Sequence, residues 1–343
     1  MRIGTRGSAL ALAQAGDVAK LLGGAELVTI TTTGDRAGGE DKSRWVDTIE
    51  QALLADEIDL AVHSAKDVPG ELAEGLALLG APARAAAEDV LCGAPSLESL
   101  PAGARVGTGS LRRAAQLRAA REDLHVVAIG GNVDTRLRRL GEQGTEDGLH
   151  AIVLARAGLQ RLGRENQIDA VLDPVRFVPA PGQGVLALEG RAGDAHVEEA
   201  VAALADADAF ACLLAERAVA RELGASCHTP LGAHAVPAGC GRLHLRAWVG
   251  LPDGSAWVSD ELAETGTDSG DTRYRARETL ADARIPGSAS IPESASAEGA
   301  CLPASVGGFY DPEALGRRVA ERMRAAGAGE LLQRAEEMAV EHA

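Results

Sequence analysis

The chain has almost no lysine and very few aromatic residues. Of its 34 basic residues only Lys20, Lys42 and Lys66 are lysines; the rest are arginine. Phe, Trp and Tyr together make up 2% of the 343 residues. So few rings exclude a surface built to stack nucleobases. Positive charge is also in deficit: the formal net charge is −16. That argues against general binding to nucleic acid or to anionic membranes. No apolar run reaches the roughly eighteen residues that a membrane-spanning helix needs. Met1-Arg2-Ile3-Gly4 reads as strand and carries no signal-peptide core, so a soluble cytoplasmic protein is expected. The five cysteines (Cys92, Cys212, Cys227, Cys240, Cys301) are odd in number and scattered. This suits reduced thiols better than a disulfide framework.

What is present begins with size: 343 residues at 46% hydrophobic content can bury the cores of two or three domains. The chain is organised around Ile58-Asp59-Leu60-Ala61-Val62, an apolar run read as a buried strand, and the His63-Ser64-Ala65-Lys66-Asp67-Val68-Pro69 that follows. Such a strand delivers polar side chains to its carboxyl edge, where open α/β sheets bind ligands. Asp67 beside Lys66 can seat a proton transfer or stabilise a cationic intermediate. The bland alternative is a strand-end ion pair without chemistry.

Three strand–loop–helix junctions share one composition: Gly4-Thr5-Arg6-Gly7-Ser8, Gly107-Thr108-Gly109-Ser110-Leu111-Arg112-Arg113, and Gly130-Gly131-Asn132-Val133-Asp134-Thr135-Arg136. Glycine backbone, hydroxyls and arginine at a helix start suit an anion. Residues 105–139 hold eight arginines against three acids in an otherwise acidic chain. Arg112 stands where a dinucleotide fingerprint needs its third glycine. The arginines could be solvated helix faces; three such junctions together favour a polycarboxylate or phosphate ligand between two α/β units. Pro179-Ala180-Pro181-Gly182-Gln183-Gly184 interrupts the pattern as a crossover or hinge. Residues 206–223 read as helix, 243–249 and 256–259 as antiparallel strands, 265–308 as an aperiodic insertion, and 311–326 and 328–341 as helices. Cys227 sits in a Gly/Ser/Pro loop, which suits a reactive or modified thiol. A metal set of Cys227, His228, His234 and Cys240 matches no common zinc spacing, and Ser64–Lys66 has no nucleophile elbow around it.

These motifs resemble the hydroxymethylbilane synthase, or porphobilinogen deaminase, family. The likeness spans about residues 2–262 and the final helices, and includes Val62–Pro69, Leu154–Leu159, Pro181–Gly184 and Ser226–Gly232. It implies an α/β fold of two periplasmic-binding-protein-like domains flanking a cleft, plus a small α+β C-terminal domain with an antiparallel sheet. The implied boundaries are 1–84 with 185–203, 87–179, and 206–343. The implied reaction condenses porphobilinogen units head to tail, with loss of ammonia, on a covalent dipyrromethane primer and then releases a linear tetrapyrrole. The resemblance places the primer's thioether on Cys227 and the catalytic carboxylate at Asp67. It places carboxylate or primer binding on Arg6, Ser8, Ser64, Lys66, Thr108, Ser110, Arg112, Arg113, Asn132, Arg136, Arg161 and Gln183. A monomer is expected, without metal, nucleic acid or membrane. The sequence departs from the pattern at Gly130, where the family usually has arginine, at Asp47, where it has lysine, and at Ala86-Ala87-Glu88-Asp89-Val90. Altered elongation is the expected consequence. A non-catalytic two-domain anion-binding protein would need neither Cys227 in a loop nor Lys66-Asp67 at the strand end; a cysteine or serine hydrolase would need a histidine poised beside its nucleophile, and His228 is merely the sequence neighbour of Cys227.

Overall fold

The computed structural model describes residues 1–32, 43–141, 148–225, 229–239, 241–263, 271–276 and 311–341. Two five-stranded sheets follow one plan. The first runs β2 (Glu26–Ile30), β1 (Arg2–Arg6), β3 (Leu60–Ser64), β10 (Leu186–Arg191), β4 (Leu76–Gly80). The second runs β7 (His125–Ala128), β6 (Arg105–Thr108), β8 (Ala151–Ala155), β5 (Asp89–Cys92), β9 (Ala170–Val171). In each sheet the first three strands are parallel, and the fourth is antiparallel to both neighbours. The chain leaves the first sheet after β4, enters the second through β5 and returns through β10. The two lobes are α/β domains of one topology, as expected.

The central strands are apolar because both faces are covered. Leu60, Ala61 and Val62 of β3 are buried, as are Ala151 to Leu154 of β8. Helices α1 (Ala9–Leu21), α2 (Ser43–Leu54), α3 (Leu111–Ala120), α4 (Val133–Gly141), α5 (Arg156–Arg161) and α6 (Ala195–Ala202) flank the sheets. Ser8 caps α1 by accepting from the Ala11 amide, and Ser110 caps α3 by accepting from the Arg113 amide. The hydroxyls that look anion-binding in sequence therefore also terminate helices.

The third layer is an antiparallel meander: β11 (Leu231–Pro237), β12 (Leu243–Gly250), β13 (Ala256–Ala263) and β14 (Asp271–Ala276). Helices α7 (Ala207–Glu222), α8 (Pro312–Ala325) and α9 (Ala328–Glu341) share its core through Val219, Leu245, Val258, Val319 and Leu331. The strand β14 corrects the sequence reading of 265–308 as wholly aperiodic. Tyr274 stands opposite Val258, and Thr272-Arg273-Tyr274-Arg275 alternates strand formers with arginine. Its Ser/Gly-rich surroundings hide that short signal; the rest of the insertion lies outside the described residues. Strands β4 and β11 have no counterpart in the sequence reading. The key strand also runs two residues further than read, so His63 and Ser64 belong to β3.

Helix α7 ties the layers together. Glu216, fully buried, accepts from Arg84 (2.7 Å), the Gly182 amide (2.6 Å) and the Ala235 amide (2.7 Å). Burial alone would raise this carboxyl; the Arg84 charge and the His234 contact outweigh it and hold it below its ordinary value. Arg217 donates to the carbonyls of Val68, Pro69 and Gly70. One helix thus grips both crossovers and the end of the Lys66-Asp67 segment. Gly182 (φ 73°) and Gly184 (φ 87°) are required in the return crossover. A Cβ on Gly182 would lie 2.8 Å from the Ala65 Cβ, and one on Gly184 2.5 Å from the Ala85 carbonyl oxygen.

Candidate active site

After β3 a single 3₁₀ turn, Ala65–Asp67, lifts Lys66 and Asp67 to the strand's carboxyl edge. The return crossover packs beneath it, because a Cβ on Gly182 would also come within 3.0 Å of the Lys66 amide. A small cleft opens here, lined by Arg6, Ser8, Leu10, Ala11, Gln14, Val46, Val62, His63, Ser64 and Asp67. Gln14 of α1 donates to the Ser64 hydroxyl at 2.7 Å, fixing the strand end to the helix. Four residues expected from sequence, Arg6, Ser8, Ser64 and Asp67, meet in this one cavity. Lys66 is half-buried beside it. The lining places one carboxylate among hydroxyls and a guanidinium, an arrangement suited to proton transfer on an anionic ligand.

The second lobe contributes two junctions. Thr108 is buried, and its hydroxyl accepts from the Ser110 amide. Asn132 caps α4 by accepting from the Thr135 amide, and Arg136 donates to the Gly131 carbonyl. A Cβ on Gly109 would lie 3.3 Å from the Arg136 guanidinium, so the glycine lets Arg136 lie across the neighbouring loop. A Cβ on Gly130 would meet nothing within 4 Å. The position where the family usually has arginine thus faces open space. Helix α5 brings Gly158 against Leu10 of the first lobe, with an added Cβ 3.9 Å away. Arg161, one turn on, donates to the Gly184 carbonyl at 2.9 Å. Burial lowers its basicity, and Asp17 opposes that effect.

Arg112, Arg113 and Gln183 depart from expectation. All three are buried, at 3%, 6% and 1% exposure. Arg112 donates to Asp89 (2.8 Å) and to the Val178 carbonyl (2.7 Å). Arg113 donates to Asp89 (2.9 Å) and to the Gln183 side chain (3.3 Å). Gln183 donates to Asp89 (2.9 Å) and to the Ala87 carbonyl (2.6 Å). Burial would raise Asp89; the charges of Arg112 and Arg113, with bonds from Arg112 and Gln183, drive it far below the carboxylate range. In this structure the polar groups of these three are engaged with Asp89 and with backbone carbonyls. They form an interlobe brace around Asp89, and the reason is positional: their helix face turns toward β5 and the crossover. Asp89 was missed because its segment looked only like a departure from a pattern. Gln14 and His63 were also missed; His63 sits inside a quoted motif and Gln14 in the helix after one, but neither carries an obvious role in sequence. Cys227 lies outside the described residues. Its described flanks, Ala225 and Thr229, join the end of α7 to β11.

The structure thus defines a class: a two-lobed α/β protein with an acid seated in a cleft among hydroxyls and a guanidinium, and a third layer docked on the crossovers. Comparison with known proteins narrows it. The family signature "Porphobilinogen deaminase, dipyromethane cofactor binding domain" matches residues 1–199, and "Porphobilinogen deaminase, C-terminal domain" matches 210–281. A porphobilinogen deaminase of Lachnospira eligens is 44% identical over 282 residues, 78% of this chain and 94% of that protein. One of Thermus thermophilus is 46% identical over 269 residues, 76% of this chain and 88% of that protein. One of Deinococcus deserti is 43% identical over 309 residues, 82% and 97% respectively. A methionine-binding protein, MetQ, aligns over 60% of this chain and 89% of its own at a TM-score of 0.39 and 14% identity, too low to carry an argument. The chain belongs to the porphobilinogen deaminase family.

Proposed function

We propose that this chain is a hydroxymethylbilane synthase, a transferase that condenses porphobilinogen head to tail and then hydrolyses off the linear tetrapyrrole. One observation carries the reading: Asp67 lies in a cleft lined by Arg6, Ser8 and Ser64, in a chain matched by both family signatures. The donor set fits the resident dipyrromethane. Each of its pyrroles carries an acetate and a propionate, and the cleft offers one acid against several cations and hydroxyls. Arg6, Ser8, Ser64 and Lys66 would hold carboxylates from the first lobe; Ser110, Asn132 and Arg136 would do so from the second. When bound, the dipyrromethane supplies the pyrrole carbon at which the chain grows.

The residues of the chain do the rest. Asp67 stands where it can hold a proton for the departing aminomethyl nitrogen. As the C–N bond breaks, its electron pair leaves with ammonia and a cationic pyrrole remains. The Asp67 carboxylate stabilises that cation. Arg6 and Lys66 neutralise the carboxylates that would otherwise repel Asp67 and each successive substrate. The 3₁₀ turn and its Gly182 backing fix where Asp67 sits, so that each condensation meets the same acid.

The thioether is assigned to Cys227 by the family motif. Intact mass and peptide mapping test it: a dipyrromethane mass on the Cys227 peptide is expected, and the same mass on another cysteine overturns the assignment. Asp67→Ala is expected to fold and to lose turnover by at least about a hundredfold; normal bilane formation by that variant refutes the role. No described helix is long and apolar enough to cross a membrane. A cytoplasmic monomer that binds no nucleic acid belongs to the same proposal, tested by size-exclusion chromatography and cell fractionation.

A further inference from the structure

A second titratable cluster begins at the cleft wall and runs inward. His63 lines the cleft, yet its Nε2 lies 3.0 Å from the Oε2 of Glu189 on β10. The Glu189 side chain is fully buried, and the His63 side chain is 6% exposed. The register explains the contact. Ala187 stands opposite His63 and Glu189 opposite Ala61, so His63 and Glu189 are diagonal neighbours on one sheet face. Neither Glu189 oxygen nor His63 Nε2 makes a well-aligned hydrogen bond among the described residues. Behind Glu189 lies Glu50 of α2, also buried. Burial, then the charge of Glu189, raises the Glu50 carboxyl above its ordinary value. Glu50 accepts a long bond, 3.4 Å, from the Ala73 amide and shares a side-chain hydrogen bond with Glu189.

A buried carboxylate without aligned donors is costly and is rarely tolerated without a use. Packing does not demand this one: Glu189 sits in a strand whose neighbours Leu186, Ala187 and Leu188 are apolar. Arg217, whose charge Glu189 feels, spends its donors on the carbonyls of Val68, Pro69 and Gly70. What Glu189 does have is the imidazole at the cleft wall. On the same strand and its turn, four residues on, is Asp67.

We propose that His63, held by Glu189, is the second proton-transfer group of this cleft. It takes the proton that the attacked pyrrole carbon releases at each condensation, while Asp67 attends the departing nitrogen. This rests on the function proposed above. The balance is closed. The C–N bond of one aminomethyl group breaks and its electron pair goes to nitrogen. A C–C bond forms to the acceptor pyrrole carbon, whose C–H bond gives up its proton to His63. That proton then passes to Asp67, replacing the one given to the departing ammonia, so that both groups are reset before the next substrate binds. Glu189 compensates the imidazolium meanwhile, and Glu50 tempers the carboxylate behind it. Asp67 alone would have to act as acid and base within one step.

The groups that face the ring are Asp67 and Lys66 on its own segment, Arg6 on β1, Glu189 on β10, Glu50 and beyond it Asp47 on α2, and Arg217 on α7. The test therefore isolates one contact. The wild type, His63→Gln and Glu189→Gln are compared by kcat and KM across pH 5–9, by melting temperature, and by NMR titration of the His63 ring. His63→Gln is expected to lower kcat by about ten- to a hundredfold, with KM within twofold, and to remove the acidic limb of the kcat profile. Glu189→Gln removes the carboxylate that holds the ring and should lower kcat severalfold with KM within twofold and move that limb. A purely structural role predicts lower melting temperatures with profiles of unchanged shape, and that result overturns the proposal. Should His63→Gln not fold, Glu189→Gln decides: an unmoved limb overturns it. A wild type that makes no bilane overturns the underlying function instead.

Discussion

Removing the charge of Asp89 should destabilise the protein more than any change at the cleft surface. Asp89 receives Arg112 at 2.8 Å, Arg113 at 2.9 Å and Gln183 at 2.9 Å, with its side chain at 1% exposure. Asp89→Asn keeps the shape but leaves two guanidinium groups buried without a counter-charge. Breaking a buried pair from one side costs about 3–5 kcal/mol, and the two arginines here place this site at the upper end. At this chain length that corresponds to a melting temperature lower by roughly 4–7 °C. Calorimetry at pH 7 measures it. The pH dependence follows with a definite sign. The folded Asp89 is held far below the 3.8 of an ordinary aspartate, so its stabilisation is fully present above that value. It is lost as pH falls below it. The wild type should therefore lose stability steeply below about pH 4 while Asp89→Asn loses less. A variant within 1 kcal/mol of wild type at pH 7 would refute the brace.

Other expectations follow from single contacts. Gly130→Arg should be tolerated, since nothing lies within 4 Å of an added Cβ, and should bind porphobilinogen-derived carboxylates more tightly, read as a lower KM with an unchanged melting temperature. Gly182→Ala forces a left-handed backbone on alanine and drives its Cβ into Ala65; a loss of about 2–3 kcal/mol with reduced kcat is expected by denaturation and assay. Burial pushes the Cys92 and Cys212 thiols up to about 12, so native protein treated with iodoacetamide at pH 8 should show neither peptide alkylated.

The strand-end motif was legible because a buried apolar run followed by His-Ser-Ala-Lys-Asp is a local signal. The repeat of strand, glycine loop and arginine-bearing helix was legible for the same reason, and both lobes carry it. The fates of the arginines were not. Arg112 and Arg136 both sit in the first turn or so of a helix after a glycine loop. One is sealed against Asp89 and the other lies over Gly109 beside the open loop. The difference is the strand each helix packs on: β5 offers an aspartate, and no sequence spacing links residue 89 to residue 112. Strand β11 and the Glu216 clasp were likewise hidden, since they depend on α7 meeting the crossover from another part of the chain. Glu189 looked like an ordinary strand residue until β10 was placed between β3 and β4.

That placement also explains why the chain uses arginine so heavily while remaining acidic. A cleft for a growing polycarboxylate needs cations, but cations on two lobes repel each other as the lobes approach. The second lobe reduces this by burying part of its positive charge: Arg112 and Arg113 are neutralised internally by Asp89. Arg161 is spent on the crossover carbonyl at Gly184. Arg6 and Lys66 then provide most of the cationic charge around Asp67. Guanidinium suits the internal posts because its planar fork can satisfy a carboxylate and a carbonyl together, as Arg112 does with Asp89 and Val178. Lysine, a compact point charge on a flexible stem, is kept for the turn beside the reacting acid.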